Sequence, residues 1–171
     1  VTERDPLDDI LPLLAPIQGA YALIGGHAVN AFIEPRFTAD IDITATVDAA
    51  RRFGAAALAA GMRIETELGA AQASGPDFVR YVDDAALVIE IQAAKTAFQL
   101  AVVARAHDVG GVAIATPEDL LVLKAIANRA KDQRDLDELA KLPDLDWDYV
   151  VDNARVWGVD GVIDAVRSRK T

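Results

Sequence analysis

The sequence predicts an α+β fold, a mixed β-sheet packed by helices with a C-terminal helical tail, and three observations lead there. Short apolar or alternating runs, the pattern of strands, fall in the first two thirds of the chain. Helix starts are interspersed with them, and the last third carries helical periodicity alone. At 171 residues, with 52% hydrophobic and 26% charged side chains, the chain has the composition of a globular protein with a substantial core. The organisation expected is a core over residues 1–115 and a helical region over 116–171 packed on it.

The elements follow in order. Asp5-Pro6 opens a helix, with Asp5 as cap, Pro6 at the first helical position and Asp8 and Asp9 at the positive end. Leu7, Ile10, Leu11 and Leu14 recur at helical spacing, and Gly19 stops the run. Tyr21–Ile24 is a short buried strand ending at Gly25-Gly26, after which a helix over 27–33 meets Pro35. Residues 37–45 alternate and are most strand-like from Asp40 onward. Asp48 then caps an alanine-rich helix closed by Gly61. Residues 63–67 form an edge strand and 70–76 a loop. Phe78–Val82 and residues 86–92 form two strands around an Asp83-Asp84 turn. Thr96 and Gln99 match a capping box for a helix to residue 106. Gly110-Gly111 turns the chain into the strand Val112–Ile114. Thr116-Pro117-Glu118-Asp119 starts a helix that reaches Lys131 or continues, bent, to Lys141 before Pro143. Helices over 147–157 and 161–169 complete the tail, with Trp147 and Trp157 expected in its core.

Composition narrows the function classes. Seventeen basic residues against 27 acidic ones give a net charge of −10, which disfavours a broad nucleic-acid footprint while allowing a local basic cleft. The absence of cysteine excludes disulfides, thiolate nucleophiles and zinc–thiolate sites, and two histidines do not make a histidine-rich metal centre. Without such a centre or an evident nucleophile, a carboxylate-based phosphohydrolase has nothing to work with. No apolar run approaches a membrane span of roughly 18–20 residues, so the expectation is a soluble cytoplasmic protein without a membrane partner.

Asp40-Ile41-Asp42-Ile43 is the informative segment. On a strand, Asp40 and Asp42 share one face and the isoleucines the other. Two carboxylates about 7 Å apart on one strand repel, and a divalent cation between them converts that cost into a binding site. Magnesium suits such a place, being held by one or two carboxylates together with substrate phosphates. A solvent-facing strand can carry the same acid-x-acid pair, so the neighbours matter. Gly25-Gly26 ends a strand and opens a helix, where backbone N–H groups favour phosphate, although a tight turn needs the same residues. Arg36 and Thr38 stand just before the acids, placed to neutralise phosphate or brace the loop. Glu90 points opposite to Ile89 and Ile91 on its own strand. If that strand pairs beside Asp40 and Asp42, three carboxylates converge. Downstream, Lys124, Asn128, Lys131 and Asp135 recur at steps of four, three and four and form one polar stripe, with Lys124 nearest to apolar neighbours.

The segments Leu23-Ile24-Gly25-Gly26-His27-Ala28-Val29-Asn30 and Arg36-Phe37-Thr38-Ala39-Asp40-Ile41-Asp42 together resemble the signature of polymerase-β-like nucleotidyltransferases. They are most similar to the small bacterial branch that includes AbiEii-type toxins and antibiotic nucleotidyltransferases. Pro117-Glu118-Asp119-Leu120-Leu121, Lys124 and the run from Arg129 to Asp135 resemble that family's downstream helix, so the likeness spans roughly residues 20–140. The resemblance implies a polymerase-β-like fold with 1–115 as the catalytic core. It implies transfer of a nucleoside monophosphate from an NTP to an acceptor hydroxyl on a small molecule, a tRNA end or a protein. Asp40, Asp42 and Glu90 would hold two magnesium ions, Glu90 also helping to deprotonate the acceptor. Gly25 and Gly26 amides would cradle the β- and γ-phosphates, and Lys124 would approach the triphosphate. Two positions depart from the family pattern: Gly26 stands where serine is common, and Glu90 where aspartate is. Those departures keep open an alternative, a catalytically weak nucleotide-binding or partner-binding module such as a toxin–antitoxin component.

Overall fold

The computed structural model describes residues 6–169, so the cap expected at Asp5 lies outside the described residues. The chain divides into two compact units. One is built from the chain up to His27 together with Phe37–Ala115, the other from Ala28–Arg36 together with the chain from Thr116 onward. The short segment Ala28–Arg36, expected within the core, therefore groups with the helical region.

The first unit is organised by one seven-stranded mixed sheet. Its strands are β1 (Tyr21–Ile24), β2 (Asp40–Thr46), β3 (Arg63–Leu68), β4 (Phe78–Val82), β5 (Val88–Ala94), β6 (His107–Val109) and β7 (Val112–Ile114), in the order β3-β4-β5-β2-β1-β7-β6. The register of β2 on β5 is parallel and unbroken from Asp40 opposite Val88 to Thr46 opposite Ala94. β1 runs antiparallel along the other side of β2, and β4 antiparallel along β5. Because side chains alternate, Ile41, Ile43, Ile89, Ile91, Val79 and Tyr81 form one continuous face. All six are buried, and each isoleucine taken out of water contributes roughly 1.5–3 kcal/mol. Helix α3 (Val47–Ala59) covers this face, burying Ala49, Phe53 and Ala57, with Phe53 edge-on to Tyr81 at a centroid distance of 5.8 Å.

Local chemistry adjusts several expected boundaries. Helix α1 (Pro6–Leu14) passes into a 3-10 turn over Ala15–Ile17, and Gly19 at φ +77° ends it. α2 (Gly25–Val29) starts at the glycines and is shorter than the helix expected over 27–33, because Asn30 instead closes a loop. Its Nδ2 donates to the Arg36 carbonyl at 2.7 Å and its Oδ1 accepts from the Arg36 N–H at 3.1 Å. The cap of α3 is Thr46, whose hydroxyl accepts from the Ala49 N–H, whereas Asp48 sits in the first turn paired with Arg52. β5 begins at Val88, two residues late, because the Asp83 carboxylate accepts from the N–H groups of Ala85 and Leu87 and lengthens the turn. The capping box opens α4 (Ala97–Arg105) as expected. The three-residue β6, pairing with β7 across Gly110-Gly111, has no counterpart among the expected elements.

The second unit holds α5 (Pro117–Ala127), α6 (Asp132–Leu139), α7 (Trp147–Val156) and α8 (Asp160–Arg169). α5 stops at Asn128, which takes the left-handed conformation at φ +43° and donates its N–H to the Lys124 carbonyl. The polar stripe expected through Lys124, Asn128, Lys131 and Asp135 is therefore cut, and α6 is a separate helix. Leu120, Leu121, Leu136, Leu139, Val150, Ala154, Ile163 and Val166 are buried, whereas Trp157 is exposed. Trp147 is half-buried, with the Arg167 guanidinium 5.1 Å above its ring. The tail core is thus aliphatic rather than built on tryptophan.

Gly54 of α3 faces the Tyr81 hydroxyl, which lies 2.5 Å from where a Cβ would stand, while the ring carbon Cζ is 3.6 Å away. Alanine there gains about 1 kcal/mol of helix propensity but drives a carbon into the hydroxyl. Gly54→Ala is expected to be at least about 1 kcal/mol more favourable in a Tyr81→Phe background than in the wild type. Urea unfolding of the four proteins of this cycle measures the coupling.

Candidate functional site

The acidic face of the sheet lies opposite the isoleucines. Asp40, Asp42 and Thr44 alternate along β2, and the parallel register sets Asp42 directly beside Glu90 on β5, with Asp40 one pleat away. On its other side Asp42 adjoins Ile24 of β1, the residue before Gly25-Gly26. Ile24, Asp42, Phe78, Glu90 and Gln92 line a small open depression.

The glycine turn is shaped around these side chains. A Cβ on Gly25 would overlap Oδ2 of Asp42, and Gly25 has φ +68°, so space and backbone both require glycine. A Cβ on Gly26 would lie 2.5 Å from the Thr38 hydroxyl and 2.8 Å from its Cβ. The threonine thus fills the volume a side chain at position 26 would take, and brings a hydroxyl to the glycine turn.

Arg80 of β4 belongs to this face and was not among the residues expected there. It lies opposite Glu90 in the β4–β5 register. Its Nη1 donates to Glu90 Oε1, its Nη2 is 3.8 Å from Asp40 Oδ1, and its Nε is 2.9 Å from Glu65 Oε2. Desolvation works to lower the Arg80 pKa, but Asp40, Glu90 and Glu65 outweigh it and hold it above the usual value. The sequence carries only part of the signal: Arg80 is the sole charged residue in Phe-Val-Arg-Tyr-Val, and its place across from Glu90 follows from the register that faces Val82 with Val88.

As a site for a divalent ion, the donor set is chemically suitable: hard carboxylate oxygens on two adjacent strands, one pair of them in register. Among the described residues, no three histidine, aspartate or glutamate side chains already converge as a metal cluster. The positive charge against Asp40 and Glu90 is the Arg80 guanidinium.

Arg36 and Lys124, expected to meet phosphate, lie in the second unit and are joined through one carboxylate. Lys124 is only 4% exposed, with Nζ 3.0 Å from Asp132 Oδ1 and 2.7 Å from Asp135 Oδ2. Arg36 grips the same Asp135 as a fork, Nε at 2.8 Å and Nη2 at 2.5 Å. Asp132 in turn accepts from the Arg129 N–H at 3.1 Å and its Nε at 2.7 Å. Asp132 and Asp135 are fully buried. Burial works to raise the Asp132 pKa, but hydrogen bonds from Arg129 and Lys124 outweigh it and bring the carboxyl down to about 2. In this arrangement Arg36 and Lys124 brace a buried ion cluster rather than face solvent phosphate. The break at Asn128 produces it, since it turns Asp132 and Asp135 back toward Lys124.

No family model and no curated protein matches the chain. Solved structures do. JHP933 from Helicobacter pylori aligns with a TM-score of 0.54 at 16% identity, over 96% of this chain and 90% of its own. ANT(2")-Ia in complex with adenylyl-2"-tobramycin aligns with a TM-score of 0.52 at 17% identity, over 96% and 97% of the two chains. The Megavirus polyadenylate synthase aligns with a TM-score of 0.56 at 12% identity, over 82% of this chain but 32% of that one. At these identities the likeness is one of fold.

The buried cluster generates two expectations. Lys124→Met removes the cation shared by two buried carboxylates and should cost roughly 3–5 kcal/mol in urea unfolding at neutral pH. For Asp132 the folded pKa lies below the unfolded one near 3.8, so its stabilisation is complete above that value and lost as the pH falls toward 2. The wild type should lose on the order of 2 kcal/mol across that window from this group. A series of urea melts from pH 5 to 2 should show a shallower acid slope for Asp132→Asn.

Proposed function

We propose that this chain, which has the polymerase-β-like nucleotidyltransferase fold, transfers a nucleoside monophosphate from an NTP to an acceptor hydroxyl. The observation that carries the reading is the register of β2 on β5, which sets Asp42 beside Glu90 with the Gly25 backbone pressed against the Asp42 carboxylate. Carboxylates gathered next to a glycine turn offer the two things an NTP needs, a place for its cations and backbone donors for its phosphates.

In the proposed reaction the acceptor oxygen bonds to the α-phosphorus and the bond from that phosphorus to the bridging β-phosphate oxygen breaks, releasing pyrophosphate. Asp40, Asp42 and Glu90 are the residues that would hold magnesium, two ions in all. Bound there, magnesium would stabilise charge on the entering and leaving oxygens. Glu90 accepts the proton of the acceptor hydroxyl. The N–H groups of Gly25 and Gly26 receive the β- and γ-phosphates. Thr38, packed against Gly26, supplies the hydroxyl that residue 26 lacks. Arg36 and Lys124 both hold the Asp135 carboxylate of the second unit and take no step in this scheme.

The acceptor is proposed to be small and hydroxylated, in keeping with a net charge of −10 and with a fold shared with an enzyme solved beside adenylylated tobramycin. A tRNA end or a protein side chain would have to be recognised locally rather than across a basic face. The second reading is a module that binds nucleotide or a protein partner, as in a toxin–antitoxin pair, without efficient turnover. The internal pairing of Arg36, Lys124 and Arg80 favours it, because each of these cations already holds carboxylates.

Incubation with magnesium, each α-labelled NTP and panels of aminoglycosides, tRNA and protein should yield labelled acceptor and pyrophosphate. Asp42→Asn should reduce transfer to background. In the metal-free state it should melt at or above the wild-type temperature, because one repelling charge is gone. Nucleotide binding in calorimetry without pyrophosphate from any acceptor would support the second reading instead.

A further inference from the structure

Arg80 has no part in the transfer scheme, yet it is the cation most deeply engaged on the acidic face. Three carboxylates from three strands meet one guanidinium: Glu90 on β5, Asp40 on β2 and Glu65 on β3. The contacts are unequal. Glu90 is held by a hydrogen-bonded ion pair, Asp40 stands at 3.8 Å, beyond hydrogen-bond reach, and Glu65 lies 2.9 Å away toward the sheet edge. Glu65 sits where the β3–β4 register slips between Ile64 and Thr66, and this irregularity lets its carboxylate reach Arg80. One guanidinium thus answers three carboxylates, and Asp42 stands beside Glu90 as a further acid of the same face.

A guanidinium keeps its charge at any pH at which the protein is folded, and its planar fork can hold two carboxylates at once. It therefore does for these acids what a divalent ion would do, and the two compete for the same oxygens. We infer that Arg80 is a resident counter-ion of the carboxylate centre: without metal it neutralises Glu90 and Asp40, and entry of a divalent ion requires its guanidinium to cede Glu90 and rest on Glu65. This role rests on the reading that Asp40, Asp42 and Glu90 hold the ion. It adds a residue whose charge sets how tightly they do so. Arg80 keeps the metal-free face from repelling itself and weakens metal binding, so that ions are held firmly only when a triphosphate adds its own oxygens.

The test uses manganese as the probe, without nucleotide, with free ion followed by electron paramagnetic resonance. Wild type, Arg80→Met, Arg80→Lys and the Arg80→Met/Asp42→Asn double variant are compared. Arg80→Met should bind manganese about tenfold more tightly than wild type or more, the effect of removing one competing unit charge from a partly exposed site. Arg80→Lys should stay near wild type, and the double variant should lose the ion. Binding by Arg80→Met that is no tighter than wild type, yet abolished in the double variant, would overturn the role of Arg80 and leave the carboxylate site standing. Manganese binding indifferent to Asp42 in every variant would remove the site and the role of Arg80 together. A second measurement is read on the wild-type protein itself, so misfolding of a variant cannot decide it. There the Arg80 Nε–H resonance, assigned with Arg80→Lys, should shift on saturation with magnesium, and an unmoved resonance would overturn the exchange.

Discussion

Setting Asp42 directly beside Glu90 on adjacent parallel strands is the constraint from which the rest of the first unit follows. Like charges at that spacing repel, and the strands that carry them must be held by something else. The opposite face does it: Ile41, Ile43, Ile89 and Ile91 are removed from water under α3, and a one-residue slip of either strand would exchange isoleucine for carboxylate. Register and chemistry are therefore specified by the same alternation. The sheet order places β4 next, which brings Arg80 to the acids, and β1 on the far side, which brings the glycine turn.

The molecule handles surplus negative charge in two physically different ways. On the sheet, carboxylates stay partly exposed and share one guanidinium, so part of their charge is left for a ligand. In the helical unit, Asp132 and Asp135 are fully buried and surrounded by Lys124, Arg36 and Arg129, so the charges are consumed internally. Desolvation makes the second arrangement intolerant of losing any one partner. The first is built to exchange partners.

The strand carrying Asp40 and Asp42 was legible because period-two alternation is a strong local signal, and Glu90 because a lone acid interrupts an apolar run. Their pairing could be posed but not proved, since strand adjacency is a long-range fact. Arg80 was missed for a related reason: its meaning appears only once Val82 is known to face Val88. Lys124 was misplaced by treating 117–131 as one helix, in which steps of four and three align a stripe. Asn128 is an ordinary helix residue by pattern, and its left-handed turn depends on the helix that follows. Thr38 was expected to bind phosphate or brace a loop, and its side chain packs against Gly26. Asp48 lost the cap of α3 to Thr46 two residues earlier, within the ordinary uncertainty of helix ends.

Among the described residues the sheet ends in unpaired strands on both sides, which bears on how copies of this protein meet one another. β3 and β6 are the terminal strands, and each offers backbone donors and acceptors along one side. Every residue of β3 is exposed, but Arg63, Glu65 and Glu67 bring charge to the strand, and its slipped register at Glu65 spoils the straight ladder another chain would need. β6 is three residues long, too short to template much. The same irregularity that carries Glu65 to Arg80 thus also guards a long free margin against runaway pairing, so a change that straightened it would touch solubility as well as chemistry.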